Sequence, residues 1–121
     1  MFNLVSKSRA FSTFRAVQAP KQFVVILRDY TDPGALQRRL DTRDRHLKDA
    51  LEAQDKSILN LGGAILDNHD SRKMKGSVLV ISADSKEDIE KMILNDPYYD
   101  AKVWEKWEIL PVNLAIGKIT K

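Results

Sequence analysis

Two stretches of the chain carry side chains that can do chemistry. In "RLDTRDRHLKD" (39–49), Arg39, Arg43 and His46 stand four and three residues apart, which aligns them along one ridge of a helix. An imidazole ordinarily titrates near pH ~6.5, so His46 suits general acid–base work. A carboxylate partner would orient its ring and raise its basicity. Asp96 in "NDPYYD" (95–100) is one candidate partner, and Asp29 at the end of "QFVVILRD" (22–29) is another. On a helical wheel Arg43 falls inside an apolar stripe, with Arg39 and His46 on its edge. A cation there needs an anion or a route to water. The plainer reading makes His46 a packing residue, lets Arg43 snorkel along the helix, and leaves Asp96 as a helix stop.

Other chemistry finds little support. The chain has no cysteine, which removes disulfides, thiol nucleophiles and cysteine-ligated metals. Asp67, His69 and Asp70 in "DNHDSRK" are a weak metal-ligand cluster, better read as a solvated loop, so no metal centre and no cofactor is expected. Gly-rich phosphate loops, GxSxG elbows, HExxH and Walker patterns are absent.

The elements that must position these residues follow from periodicity. Residues 22–29 hold five consecutive apolar residues and predict a strand covered on both faces. "YTDPG" is a turn. Over 35–57, Leu36, Leu40, Leu47 and Leu51 recur on one helical face, predicting a long helix that packs by that face. A second strand over 58–67 contains Gly62 and Gly63, which suggest a bulge or a close backbone approach. A third strand follows at 76–83. Ser85 with Asp88 reads as a helix start, with Ile89, Met92 and Ile93 as the buried face, and Asn95-Asp96-Pro97 ends that helix. A fourth strand spans 103–112. The order β-α-β-β-α-β predicts an α+β, ferredoxin-like fold, a four-stranded antiparallel sheet with both helices on one face.

That arrangement leaves one sheet face bare. Yet the first strand is apolar on both sides, and the fourth places Val103, Trp107 and Ile109 on one face and Trp104 and Leu110 on the other. An exposed apolar patch of this kind marks an interface. Two sheets packed face to face would form a homodimeric α/β barrel by isologous contact. The alternative is a monomer whose C-terminal tail, 113–121, covers the face.

The formal charge of +3 is unevenly placed. Residues 1–22 carry Lys7, Arg9, Arg15 and Lys21 and no acid, leaving 16 Lys and Arg against 17 Asp and Glu in the rest. The near-neutral body offers no charge-based case for nucleic acid. The third strand, "GSVLVIS", also lacks the aromatic residues with which an RNA-recognition sheet stacks bases. No apolar run is long enough for a membrane span. Residues 1–21 combine Ser, Thr, Arg and Lys with spaced Phe2, Leu4, Val5, Phe11 and Phe14, the pattern of an amphipathic mitochondrial transit peptide. "RAFS" would place a cleavage site after Phe11, with a later cut an equal alternative, and matrix localisation is the expectation. The body of the fold is then 22–112.

Taken together, "RLDTRDRHL", "GGAI", "GSVLV", "NDPYYDAKVW" and "EILP" resemble the YCII-related (YciI-like) domain over residues 22–111. The resemblance implies a dimeric α/β barrel with a site built round a His–Asp pair in a cleft between sheet and helices. By position, His46 and Arg43 match the family's R-x-x-H-L pattern, Asp96, Pro97 and Tyr98 its D-P-[YF] pattern, and Gly76 and Ser77 its G-S pair. Asp29 matches an acid that ends the first strand in many members. The chain departs in its leader, its longer first helix and Gly63, where members often continue with Gly-Pro. Some relatives are lyases or dehalogenating hydrolases on small acids derived from oxidised aromatics.

The resulting expectation is a cofactor-free acid–base enzyme, a lyase or hydrolase, acting on a small carboxylate-bearing metabolite. His46 shuttles the proton, Asp96 or Asp29 holds its ring, Arg43 pairs with the substrate carboxylate, and Ser77 and Tyr98 donate hydrogen bonds. Two other readings make different demands. A non-catalytic binding or scaffold module needs no His–Asp contact, and a monooxygenase-like barrel needs a larger apolar cavity.

Overall fold

The structure, a computed structural model, describes residues 21–117 and, within the leader, the backbone of two paired two-residue strands, Phe2–Asn3 and Val5–Ser6. The expected transit-peptide character rests largely on residues outside those described. The main body runs β1 (Gln22–Asp29), α1 (Ala35–Asp55), β2 (Leu59–Leu66), β3 (Met74–Ser82), α2 (Lys86–Leu94), a one-turn α3 (Pro97–Asp100) and β4 (Trp104–Val112). All pairings are antiparallel, in the order β2-β3-β1-β4, so the last strand lies beside the first as the ferredoxin-like order requires.

Alternation along β1 sorts the two faces. Phe23, Val25, Leu27 and Asp29 are buried under the helices, while Val24 and Ile26 are half-buried on the other side and Arg28 is exposed. The core joins Val25, Leu27 and Ile81 from the sheet to Ile89 and Ile93 of α2, with Tyr98, Val103 and Trp104 closing one end. Ser85 caps α2, its hydroxyl accepting from the Asp88 amide at 3.2 Å. Outside the core, Asp32 pairs with Arg38, which also donates to the Lys102 carbonyl and ties α1 to the turn before β4. The Arg38 guanidinium holds the exposed Asp32 carboxyl down to about 2.

Three local expectations are overturned, and two of the corrections shape the site. The leucine stripe of α1 is not its packing face: Leu40 and Leu51 are 48% and 60% exposed, whereas Ala35, Arg39 and Thr42 are buried. The buried side lies roughly 100° round the axis, one residue step from the stripe. Small residues there bring helix and sheet close, and Arg39 and His46 can be buried on that side because each finds an acid. Trp104, expected on the same face as Leu110 and opposite Ile109, is 1% exposed and shares the buried core with Ile109 instead. The register of β4 slips between Arg28 and Asp29, pairing Lys106 with Arg28 but Trp104 with Asp29. The extra residue, Glu105, turns Trp104 over, as a bulge does. The paired glycines, by contrast, hold regular register opposite Leu79 and Val78, and the irregularity in β2 falls between Leu59 and Leu61.

The close backbone approach occurs instead at Gly76, where a Cβ would overlap the Leu27 carbonyl oxygen. Only glycine lets β3 lie this close to β1, immediately before Ser77. The open sheet face carries Val78 and Leu110, 38% and 42% exposed, beside half-buried Val24, Ile26 and Val80. The tail adds no strand over 113–117, and Leu114 and Ile116 are 43% and 97% exposed.

Candidate active site

Asp96 has two structural jobs at once. It is the N-cap of α3, with extended backbone (φ −80°, ψ 140°), Pro97 at the first helical position, and Oδ1 accepting from the Tyr98 amide at 2.8 Å. Its carboxylate also faces His46, whose Nδ1 lies 2.9 Å from Oδ1 and 3.1 Å from Oδ2. A carboxylate accepts, so Nδ1 carries the proton and donates it. Nε2 of the neutral ring is then the basic nitrogen. Both side chains are mostly shielded, at 12% and 16% exposure.

Aromatic rings fix the imidazole further. Tyr98 stacks on it with centroids 3.9 Å apart and planes 11° from parallel. Trp104 meets both rings edge-on, at 5.5 Å from His46 and 5.4 Å from Tyr98. The bulge in β4 is what delivers the indole to this position. Burial raises the Tyr98 phenol above its ordinary value despite Arg39 and Arg43 nearby, keeping its hydroxyl protonated.

Asp29, the alternative partner for His46, is engaged elsewhere. Both of its carboxylate oxygens accept from Arg39 Nη1 at 2.9 Å, in a pair that is almost completely buried. Residues 39 and 46 are two turns apart, roughly 10 Å along α1, and each cation has taken the acid at its own level. Burial pushes the Asp29 carboxyl up, and the charge and hydrogen bonds of Arg39 oppose that rise. Arg39 Nη2 donates to Ser77 Oγ at 2.8 Å, and its guanidinium lies 4.8 Å from the Tyr98 centroid. Trp104 Nε1 donates to the same Ser77 oxygen at 3.1 Å.

These groups meet at a cavity of about 310 Å³ between α1 and strands β2 and β3. Arg39, Arg43, His46, Ser77 and Tyr98, with the Gln54 and Asn60 amides, line its polar part, and leucines of α1, β2 and β3 its apolar part, with Gly62 and Gly63 in the wall. Arg43, expected inside a core-facing stripe, is instead exposed at the cavity, with no ion pair among the described residues. The buried cation of the ridge is Arg39. A second cavity of about 350 Å³ lies across His46 and Asp96, toward α2, and is lined mainly by apolar side chains with Lys91, Asp49 and Asn95.

Far from this cluster, the Asp67 carboxylate is occupied by the Ser71 hydroxyl and the Asn68 and Lys73 amides, beside an exposed His69. Among the described residues no three His, Cys, Asp or Glu side chains converge on a metal position, and no helix is long and apolar enough to cross a membrane. The site thus unites His46 with Asp96 and Tyr98, and Ser77 with two residues that had no assigned role, Arg39 and Trp104. Arg39 was visible as a ridge member, but Trp104 left no signal beyond being an indole that needs an acceptor when buried.

Comparison with known proteins agrees with this architecture. The profile of the YCII-related domain matches residues 23–113. The chain belongs to the YCII-related family. It is similar to 5-chloro-2-hydroxyhydroquinone dehydrochlorinase of Burkholderia phenoliruptrix AC1100, solved in complex with 2,5-dihydroxybenzoquinone. The two are 30% identical, with a TM-score of 0.60 over 73% of this chain and 89% of that one. It is also 32% identical over 92 residues to aspercryptin biosynthesis cluster protein B of Emericella nidulans, covering 72% of this chain. It spans only 58% of that relative's length. The fold is that of the family, α+β and ferredoxin-like, and among its relatives is an enzyme.

Proposed function

We propose that the chain is a cofactor-free acid–base enzyme, a lyase or hydrolase, acting on a small anionic, oxygen-bearing metabolite in the cavity beside α1. The observation that carries this reading is the His46–Asp96 hydrogen bond at 2.9 Å, on a wall shared with Arg39, Arg43 and Ser77. The carboxylate on one edge of the imidazole and the stacked ring on its face support a working His46 over a bare packing residue. Nε2 of neutral His46 takes a proton from the bound ligand, and Asp96 stabilises the imidazolium that forms. The proton can then go to a leaving group or to the product. Arg43, without a counter-ion among the described residues, neutralises a ligand carboxylate or enolate. The relative's dehydrochlorination fits this scheme, since it removes a proton and expels chloride from one small ring.

The test is a thermal-shift screen with 2,5-dihydroxybenzoquinone, chlorinated hydroxyhydroquinones and aryl carboxylates, followed by turnover assays with chloride release as one readout. A ligand at 100 times its Kd adds about 2.7 kcal/mol, a rise of several degrees in Tm. No protection by any member of these classes at millimolar concentration ends the proposal.

Two further parts of the reading concern assembly and address. A second copy covers the open face, because Val24, Ile26, Val78, Val80 and Leu110 form an apolar surface that no helix among the described residues covers. Sedimentation at micromolar concentration should give twice the 13.8 kDa chain mass. A single species at the chain mass would refute the dimer. Residues 1–21 direct the chain to the mitochondrion, as their basic, acid-free, amphipathic pattern supports. A reporter carrying residues 1–25 that stays in the cytosol excludes this.

A further inference from the structure

The hydrogen-bond inventory at Ser77 leaves one group unspent. A serine oxygen accepts two hydrogen bonds and donates one. Arg39 Nη2 at 2.8 Å and Trp104 Nε1 at 3.1 Å can only donate, so together they occupy both lone pairs. No group among the described residues accepts the Ser77 proton, although the residue is 2% exposed. Ser77 lines the cavity, and the third direction at its oxygen is the one left for a ligand. Arg39 adds to the surplus, since its buried Nε–H has no partner either. The Ser77 hydroxyl and the Arg39 Nε–H are thus two buried donors without an acceptor among the described residues. A buried donor left unpaired is destabilising, so an acceptor is wanted there.

We propose that Ser77 is a dedicated hydrogen-bond donor to an anionic oxygen of the ligand, a phenolate, enolate or carboxylate, and that Arg39 and Trp104 are the positioning residues that make it so. Accepting from a guanidinium and an indole polarises the hydroxyl and strengthens it as a donor. It also stops the rotor from turning its lone pairs to the ligand. A ligand that offers a hydroxyl or ammonium proton at this point meets another proton and is rejected. Asp29 takes part only by holding Arg39. This inference rests on the cavity being the ligand site, but not on His46 acting as a base.

The experiment uses 4-nitrophenol, whose anion is visible by its absorbance, with nitrobenzene as the neutral control, titrated against the full chain across pH. Anion preference is expected to lower the apparent pKa of the bound dye by about one unit, roughly tenfold in affinity. Ser77→Ala should remove most of that preference while leaving nitrobenzene affinity within about twofold, and Ser77→Thr should restore it. Trp104→Phe should weaken the preference with the hydroxyl still present, which a merely structural role would not do. His46→Gln should keep the Ser77-dependent part, separating this binding role from any failure of acid–base catalysis. Equal affinity for phenol and phenolate in the wild-type chain overturns the proposal, as does no phenolate binding at millimolar concentration. A folded Ser77→Ala with undiminished preference overturns it too. The wild-type comparison decides even where Ser77→Ala does not fold.

Discussion

Replacing His46 with glutamine is expected to leave the chain folded and to lower kcat/KM on its substrate by about 10²–10⁴-fold, the usual range for loss of a general base. Glutamine fills similar space and can still donate to Asp96, but it has no basic nitrogen. The effect should fall on kcat, because the proposal gives the holding of the anion to Arg43 and Ser77 and only the proton transfer to His46. Asp96→Asn should act in the same direction but more weakly. The amide still caps α3, yet it cannot stabilise the imidazolium that Asp96 faces at 2.9 Å. Near-UV circular dichroism checks that the Tyr98 and Trp104 packing survives. A folded His46→Gln protein that turns over as fast as wild type would remove His46 from the chemistry.

Arg39→Met should have the largest effect on stability. Its partner Asp29 is 6% exposed, and removing one member of a buried pair leaves the other charge uncompensated, at a cost of about 3–5 kcal/mol. Urea denaturation measures the loss. Asp29→Asn in the same chain should recover part of it, because the stranded charge is then gone. The deficit is also pH-dependent, with a definite sign. Burial already raises the Asp29 carboxyl above 3.8, and Arg39 is the group that opposes the rise. Without Arg39 the carboxyl moves further up, so the folded state favours its neutral form. That form costs nothing below the unfolded value. The penalty appears as pH rises from there through the raised folded value. The difference between wild type and Arg39→Met should therefore be small at about pH 4 and largest at about pH 7. A deficit below about 1 kcal/mol, or one independent of pH, would mean that the pair does not act as a buried ion pair.

The two effects separate the halves of the site. His46 and Asp96 sit on α1 and α3 and can change without unfolding the sheet. Arg39, Asp29, Ser77 and Trp104 join α1 to β1, β3 and β4, and any change there is felt in both stability and ligand binding. Ser77→Ala illustrates the overlap, since it removes a donor from the cavity and also leaves Arg39 Nη2 and Trp104 Nε1 unpaired.

Local chemistry made much of this molecule legible in its sequence. The strand order, the extent of α1 to within two residues of its observed end, the Ser85 cap and the helix stop at Asp96-Pro97 all depend on neighbours a few positions away. Side-chain periodicity and turn residues report such neighbours directly. The family resemblance brought His46, Asp96, Ser77 and Tyr98 forward as a set, and Asp96 proved to be both a cap and the partner of an imidazole. What the sequence could not decide was which side of α1 meets the sheet. Four leucines outweighed an alanine, a threonine, an arginine and a histidine as a hydrophobic signal. Yet the second group packs inward, because acids on β1 and at the start of α3 compensate Arg39 and His46. Nor could it allot Asp29 and Asp96 between Arg39 and His46, since both pairings satisfy the same charges. Trp104 depended on a single extra residue in β4, which inverts a strand face without altering its composition. Those three decisions are made by contacts between elements far apart in the chain, where only the assembled sheet and helices set the distances.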